Sequence, residues 1–314
     1  MRGSGEKSVS ILGAVAVAGA AAFAYGSLIE RNRFTVRRES IAVLSPGSAP
    51  LRILHFSDLH MAPWQTVKQG WVASLVDLEP DFIVNTGDNL GHVDGLIGVR
   101  RALEPFAGIP GAYVNGSNDY IGPVFKNPLN YLTGARSAYG RPAALDTRAL
   151  ESFFQHDLGW VGLNNAAADI RVRDTLLELF GVNDAHRGWD RLDRLPTAIE
   201  ELREEADDAP TADTISIGVT HAPYRRVLDA FVNYGARVIF AGHTHGGQVR
   251  IPGLPALVTN CDIPREQAQG LSTWGHAGHS SWLNVSAGLG TSIYAPVRFA
   301  CPPEAVLVTL TART

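Results

Sequence analysis

Apolar runs of strand length alternate with polar segments along most of the chain. Each run is short, rich in branched apolar residues and bounded by Gly, Pro, Asn or Asp, a pattern that predicts buried β-strands. The predicted strands cover residues 51–57, 81–86, 112–115, 214–219, 237–242, 282–287 and 305–311.

Helical patterns stand between several of these strands. Apolar residues recur at helical spacing over 67–78 and 227–231, and the charged stretch 189–209 predicts an exposed helix. Strands that alternate with helices are typical of an α/β protein whose sheet is covered by helices. We therefore predict the α/β class.

The N-terminus has a different pattern. Residues 11–29 form 19 uncharged positions, flanked by basic residues on both sides. This length just spans a bilayer, although Ala and Gly make the segment only weakly hydrophobic. We predict a single-pass membrane anchor; the alternative is a signal peptide cut after residues 22–24. Four arginines beyond the segment favour a cytoplasmic main domain at the cell membrane, with export as the alternative.

These patterns divide the chain into three parts. Residues 1–40 are predicted to be the anchor and its basic flank, and 41–50 a linker rich in Pro, Gly and Ser. Residues 51–314 form the predicted main domain.

Charge and cysteine content exclude some classes of function. The formal net charge is −4, so no overall positive field favours binding to a nucleic acid. Two cysteines, Cys261 and Cys301, are too few for a disulfide-built scaffold, and their pairing stays open, as does the oligomeric state.

Carboxylate and imidazole side chains stand at the ends of four predicted strands. Ligands of open α/β sheets gather at the carboxyl ends of strands, so we expect these side chains to meet. The six residues are Asp58, His60, Asp88, His221, His243 and His245.

This mixture of imidazole and carboxylate, without a thiolate, suits two divalent ions such as Mn, Fe or Zn better than Mg or Ca. A carboxylate such as Asp88 can bridge two ions. A pair of metal ions holds a phosphoryl group and generates a bridging hydroxide, which then attacks phosphorus.

At these positions the sequence resembles the calcineurin-like metallophosphoesterases. Four of the family's five blocks stand in order as "DLH", "GD", "THAP" and "GHTH", and the resemblance covers about residues 50–311. The ends "GHTHGGQVRIPG" and "GLGTSIYAPVRFACPPEAVLVTL" are similar to a bacterial membrane-associated or exported phosphodiesterase branch. The resemblance implies two mixed β-sheets packed as a sandwich between helices, a four-layer αββα fold.

The resemblance also implies the ligands of each ion. Asp58, His60 and His245 would bind one metal, and Asp88 would bridge. His221 and His243 would bind the second metal.

The fifth block departs from the family pattern. "GSND" aligns with Gly-Asn-His-Asp, so Ser117 stands at the Asn position and Asn118 at the His position. We predict that a small loop shift lets Asn118 supply the missing metal ligand. Two alternatives stay open: weak ligation by Ser117, and a second site too impaired for catalysis.

The missing histidine affects catalysis. Asn118 donates a hydrogen bond but no proton, so we expect slow turnover of substrates with poor leaving groups. His92 and His186 are candidate replacements, although both also fit ordinary loop positions. Asp119 is predicted to orient the neighbouring groups, so that Asn118 and Asp119 form the catalytic pair.

Together these features predict a dinuclear metal-dependent phosphodiesterase, acting on a lipid, nucleotide or envelope diester. Asn89 and Arg250 are predicted to contact the substrate, and the aromatic segment 121–146 to border a lipid-linked one. The alternative function is a catalytically weakened regulatory protein that binds metal or phosphate.

Overall fold

The computed structural model of the protein describes residues 3–126, 138–139, 142–206 and 213–313. The helices in this part of the chain are α1 (Gly3–Leu28), α2 (Thr66–Ser74), α3 (Gly95–Leu103), α4 (Thr147–Ser152), α5 (Leu195–Ala206) and α6 (Arg225–Asn233). The first seven strands are β1 (Thr35–Leu44), β2 (Leu51–Phe56), β3 (Phe82–Asn85), β4 (Gly111–Tyr113), β5 (Phe125–Lys126), β6 (Ala138–Tyr139) and β7 (Val161–Gly162). The others are β8 (Ala166–Val172), β9 (Thr175–Gly181), β10 (Asp213–Val219), β11 (Val238–Ala241), β12 (Gly270–His276), β13 (His279–Val285) and β14 (Glu304–Ala312).

Two six-stranded sheets form the body of the protein. The first has the order β1-β14-β2-β3-β4-β7, with only the β14–β2 pair antiparallel. The second has the order β12-β13-β11-β10-β9-β8, with antiparallel pairs at both edges. Both sheets are mixed, and their central strands are parallel.

The two sheets pack face to face because alternate side chains of their strands are apolar. Ile53 and Val84 of the first sheet and Ile217 and Phe240 of the second lie in one buried cluster between them. The opposite faces are covered by helices. Leu54 and Phe56 pack with α2 and α3, and a third cluster joins β9–β11 and β13 to α5 and α6. The predicted four-layer arrangement of two mixed sheets flanked by helices is confirmed.

The folded domain begins earlier than residue 51. Residues 35–44, assigned from the sequence to the basic flank and the linker, form β1 and pair with β14 in parallel. Ile41, Val43 and Leu44 are buried. Arg37, one of the arginines interpreted as a membrane flank, instead pairs with Glu304 at 3.1 Å. The sequence boundary was wrong because a short strand with arginines on one face resembles a basic flank.

The N-terminal helix does not support the predicted anchor. Among the helices of the described residues, none is both long and apolar enough to span a membrane. The end of α1 packs on the main domain: the Arg298 N–H donates to the Gly26 carbonyl at 3.2 Å, and Tyr25 lies edge-on to Phe299. The Glu30 carboxylate, buried just beyond, accepts the Cys301 N–H at 2.6 Å.

Two other expectations can be compared with the structure. The predicted helix over 189–209 begins only at Leu195, where Pro196 occupies the first turn, a position that tolerates proline. The aromatic segment 121–146 falls largely at 127–137 and 140–141, outside the described residues. Both cysteines are free thiols.

A truncation tests the revised domain boundary. A chain that starts at residue 45 lacks Ile41, Val43 and Leu44, and burying three such side chains contributes roughly 5 kcal/mol. We expect it to unfold at much lower urea concentration than the full chain, or to aggregate through the exposed edge of β14. A chain that starts at residue 21 keeps β1 and is the matched control; equal unfolding midpoints for both truncations would contradict the assignment.

Candidate metal centre

Four strand ends bring the predicted ligands together where the two sheets meet. In the first sheet, β2 leads into Asp58 and His60, and β3 leads into Asp88. In the second sheet, β10 leads into His221, and β11 leads into His243 and His245. The central strands of each sheet are parallel, so their carboxyl ends lie at one edge and the side chains meet in one cluster.

Three of these residues form a first group of ligand atoms. Nε2 of His60 lies 3.2 Å from Nε2 of His245, and Asp58 Oδ1 lies 3.4 Å from the same His245 atom. Asp58 Oδ1 is 4.0 Å from Nε2 of His60. One carboxylate oxygen and two imidazole nitrogens therefore converge on a single point.

A second group lies next to the first and is linked to it by Asp88. His221 Nε2 is 3.5 Å from Asp88 Oδ2 and 3.3 Å from Nδ1 of His243. The same Asp88 oxygen is 3.6 Å from Nε2 of His60. Asp88 Oδ2 therefore faces both groups, as a bridging carboxylate must.

The chemistry of these atoms fits two divalent cations. Asp58 Oδ1 is buried and has no hydrogen-bond partner, a costly state for a carboxylate oxygen unless a cation is bound. The facing Nε2 atoms of His60 and His245 form one hydrogen bond at most, whereas a metal ion would use both lone pairs. Oxygen and imidazole ligands without a thiolate do not identify the metal.

Asn118 lies at the bridging carboxylate. Its side-chain Nδ2 is 2.6 Å from Asp88 Oδ2, and its backbone N–H donates to Asp88 Oδ1 at 2.8 Å. Rotation of the amide by half a turn would place its oxygen at the same point as a ligand. A side chain on Gly116 would collide with the Asp88 carboxylate and the His221 ring, so only glycine lets this loop approach so closely. Ligation by Asn118 stays a prediction, but its amide is in position for it.

The backbone of the centre is strained. Five of the six carboxylate and imidazole residues have left-handed backbone conformations, with φ between 40° and 67°. Each such residue costs roughly 1–2 kcal/mol when it is not glycine. They are Asp58, His60, Asp88, His243 and His245. These turns aim side chains from two extended strands at a common point, and sequence patterns do not report them.

Asp119 holds one of these turns in place. Its carboxylate accepts the backbone N–H groups of Asp88 at 2.9 Å, Asn89 at 2.7 Å and Gly116 at 3.0 Å. Asp119 is fully buried. Its predicted role in orienting the site agrees with these contacts, but it does not reach a substrate, so it is a positioning residue rather than half of a catalytic pair.

Neither predicted substrate contact is available to a substrate. Asn89 is fully buried, and its amide bonds to Asn85 and Asp119. The Arg250 guanidinium donates to the Gly246 carbonyl and to Gln269. Both side chains support loops of the centre, because strand-end loops need many internal hydrogen bonds.

The two histidines proposed to replace the motif histidine lie in different places. His92 packs edge-on against Trp64, with ring centroids 5.0 Å apart, and its Nδ1 accepts the Asp94 N–H. The His186 ring is 4.6 Å from that of His243, and its Nδ1 bonds to the Tyr224 hydroxyl at 2.9 Å. Of the two, only His186 contacts a residue of the centre.

Burial sets the protonation of three of the imidazoles. It lowers the pKa of His60 to about 4 and, together with the Arg298 charge, the pKa of His245 to about 3. Burial and the His221 charge hold the pKa of His243 well below its usual range. These three rings are neutral at pH 7 and ready to bind metal.

His221 and Asp88 behave in the opposite way. Burial alone would lower the pKa of His221, but the Asp88 charge and hydrogen bond, with the Asp58 charge, raise it well above its usual range. Burial opposes ionisation of Asp88 too, yet His221 and the Asn118 amide hold the pKa of that carboxyl well below its usual range. Without metal, the pair is therefore an imidazolium and a carboxylate.

Two residues that the sequence analysis missed also support the centre. Ser57 donates to Asp58 Oδ2 at 2.5 Å. Asp184 is buried just after β9, with Oδ2 unpartnered, and burial raises its pKa despite the His221 charge. Asp184 carries a signal that was available, since it follows a parallel strand, but residues 175–181 were not predicted to be a strand.

Comparison with known proteins gives a consistent result. The family model of the calcineurin-like phosphoesterases matches residues 51–247. YpbG, an uncharacterized protein of Bacillus subtilis (strain 168), is 25% identical over 316 residues, which cover 96% of this chain and 97% of YpbG. YkuE, an uncharacterized metallophosphoesterase of the same strain, is 23% identical over 292 residues, 90% of this chain and 86% of YkuE. The crystal structure of TT1561 of Thermus thermophilus covers 77% of this chain and 91% of TT1561, with 15% identity and a TM-score of 0.44.

Proton release on metal loading tests the electrostatics of the centre. At pH 7 we expect Mn²⁺ to displace about one proton per chain, because His221 must lose its proton to become a ligand. Apparent metal affinity should accordingly rise with pH up to the pKa of His221 and then level off. Calorimetric titration in buffers of different ionisation enthalpy measures the proton count. Loading without proton release would contradict the protonated state of His221.

Proposed function

The chain belongs to the calcineurin-like phosphoesterase family, and from that premise we propose that it is a phosphodiesterase with two divalent metal ions. The observation that carries the proposal is the position of Asp88 Oδ2, 3.6 Å from Nε2 of His60 and 3.5 Å from Nε2 of His221. A carboxylate between two groups of imidazoles is arranged to bridge two ions.

The proposed ligands divide into two sets that share Asp88. Bound divalent ions supply Lewis-acid activation of the phosphoryl group and a nucleophile at neutral pH. The first set is Asp58, His60 and His245, and the second is His221, His243 and Asn118. Ser57 and the His243 N–H, which donates to Asp58 Oδ2 at 3.0 Å, fix the orientation of the Asp58 carboxylate.

Asn118 supports a diester rather than a monoester substrate. A neutral amide stands where the family has an imidazole, which removes a source of positive charge beside the phosphoryl group. A phosphodiester carries one negative charge at pH 7 and needs less compensation than a dianionic monoester. The amide also delivers no proton, so the leaving group must depart with little help from this position.

Exposed apolar residues beside the centre favour a lipid-linked diester. Ile251, Leu254 and Leu257 follow the "GHTHGG" loop and are 51%, 54% and 43% exposed. Clusters of exposed apolar side chains are typical of surfaces that bind apolar partners. A substrate with acyl chains would cover these residues, whereas a free nucleotide would not.

Hydrolysis assays test the proposal directly. Full-length protein with Mn²⁺ should hydrolyse a phosphodiester with a good leaving group, because both metal sets are complete. Asp88→Asn and His243→Ala should reduce the activity to background while the protein stays folded, and His276→Ala, on the β12–β13 hairpin, should keep it. Activity retained in both ligand variants would refute the proposal. Long-chain acyl diesters should have higher kcat/KM than short ones; the reverse order would refute only the lipid assignment.

The role of Asn118 has its own test. Asn118→Ala removes a group that touches Asp88, and loss of one such donor typically lowers kcat by about 10²–10³. Asn118→His restores an ionisable group and should raise the rate on poor leaving groups by up to ~10² while changing good ones little. The measurement is kcat across esters of graded leaving-group pKa. An Asn118→Ala enzyme with unchanged rates on every ester would exclude a role for this amide.

A further inference from the structure

A second cavity lies behind the metal centre, where the chain after α1 meets the start of α2. Its volume is about 210 Å³, and its lining includes Arg31, Trp64, Lys68 and Gly290. This cavity is separate from the six residues of the centre, none of which is in its lining.

The lining carries positive charge that no acidic residue balances. Arg31 and Lys68 are its charged residues, and no Asp or Glu lines the cavity. Nε of Arg31 is buried and has no hydrogen-bond partner, and within the described residues no carboxylate forms an ion pair with this guanidinium. A buried guanidinium nitrogen without an acceptor is costly and indicates that an anion is missing.

Lys68 adds a second cation that is held rigidly. Its side chain is buried, and Nζ donates to the carbonyls of Leu59 and His60. An ammonium group has three N–H donors, and the two carbonyls use two of them. A donor is therefore left for a group in the cavity.

The start of α2 contributes further positive potential. The first helical residues, Thr66 and Val67, line the cavity, and a helix begins with backbone N–H groups that lack intrahelical partners. The preceding Gln65 does not cap them, because its side chain accepts the Ala62 N–H at 2.9 Å instead. Uncapped N–H groups at a helix start favour phosphate and similar anions.

We propose that this cavity is a second binding site, for a phosphate-class oxyanion, distinct from the metal centre. Arg31 would pair with the anion, and Lys68 and the first turn of α2 would donate to it. The site adjoins the centre through shared groups: the Gly290 carbonyl accepts from His245 Nδ1 at 3.2 Å, and Lys68 donates to the His60 carbonyl at 3.2 Å. The anion is either free phosphate or the phosphate of a lipid head group.

Phosphate binding by metal-free protein separates this site from the centre. Full-length protein is treated with a chelator and titrated calorimetrically with inorganic phosphate. Wild type should bind, Arg31→Gln should bind at least about tenfold more weakly, and Arg31→Lys should recover much of the affinity. Arg101→Gln, an exposed arginine on α3, is the matched control and should bind like wild type. Circular dichroism checks that each variant is folded.

Equal phosphate affinity in wild type and Arg31→Gln would overturn the proposal, as would the absence of binding to chelated wild type. Co-sedimentation with vesicles distinguishes the two sources of the anion. Arg31-dependent binding to vesicles containing phosphatidic acid, but not to pure phosphatidylcholine, would identify a lipid head group; phosphate binding alone would identify a soluble phosphate. None of these readouts depends on hydrolysis, so failure of the proposed activity would leave this inference standing.

Discussion

The metal centre depends on two strand-end turns that hold each other in strained conformations. Backbone N–H groups of Asp58 and His60 donate to the carbonyls of Gly87 and Asp88, at 2.9 and 3.0 Å, so the turn after β2 lies along the turn after β3. Asp119 grips the second turn from below through its backbone N–H groups. These hydrogen bonds offset the cost of the left-handed residues, and they keep carboxylates and imidazoles aimed at one another without metal.

The same constraint links the fold to the chemistry. Two mixed sheets present parallel strand ends at a common edge, which places ligands from distant parts of the chain within a few ångströms. The shared burial makes three imidazoles neutral, while the His221–Asp88 pair holds a proton that a metal must displace. Support also comes from the N-terminal side, since Glu30 binds the Cys301 N–H, and the Arg298 guanidinium holds the Gly290 carbonyl next to His245.

Sequence patterns predicted the fold class and the six carboxylate and imidazole positions because strand periodicity and strand-end residues are local signals. They missed β1, whose arginines pair with acids far along the chain, such as Glu304. They also misassigned Asn89 and Arg250, because a polar residue beside a motif looks the same whether it faces a substrate or satisfies a buried loop. The cavity at Arg31 depends on packing between segments far apart in sequence, which no local pattern reports.

The central claim is that two ions share Asp88 in this centre, with Asn118 completing the second set. The most direct measurement is an anomalous difference map from a Mn²⁺-loaded crystal of the protein. Our account predicts two peaks about 4 Å apart, one on each side of Asp88 Oδ2, with the Asn118 amide oxygen directed at the peak nearest His221. A single peak, or an Asn118 side chain turned away from the second ion, would contradict it.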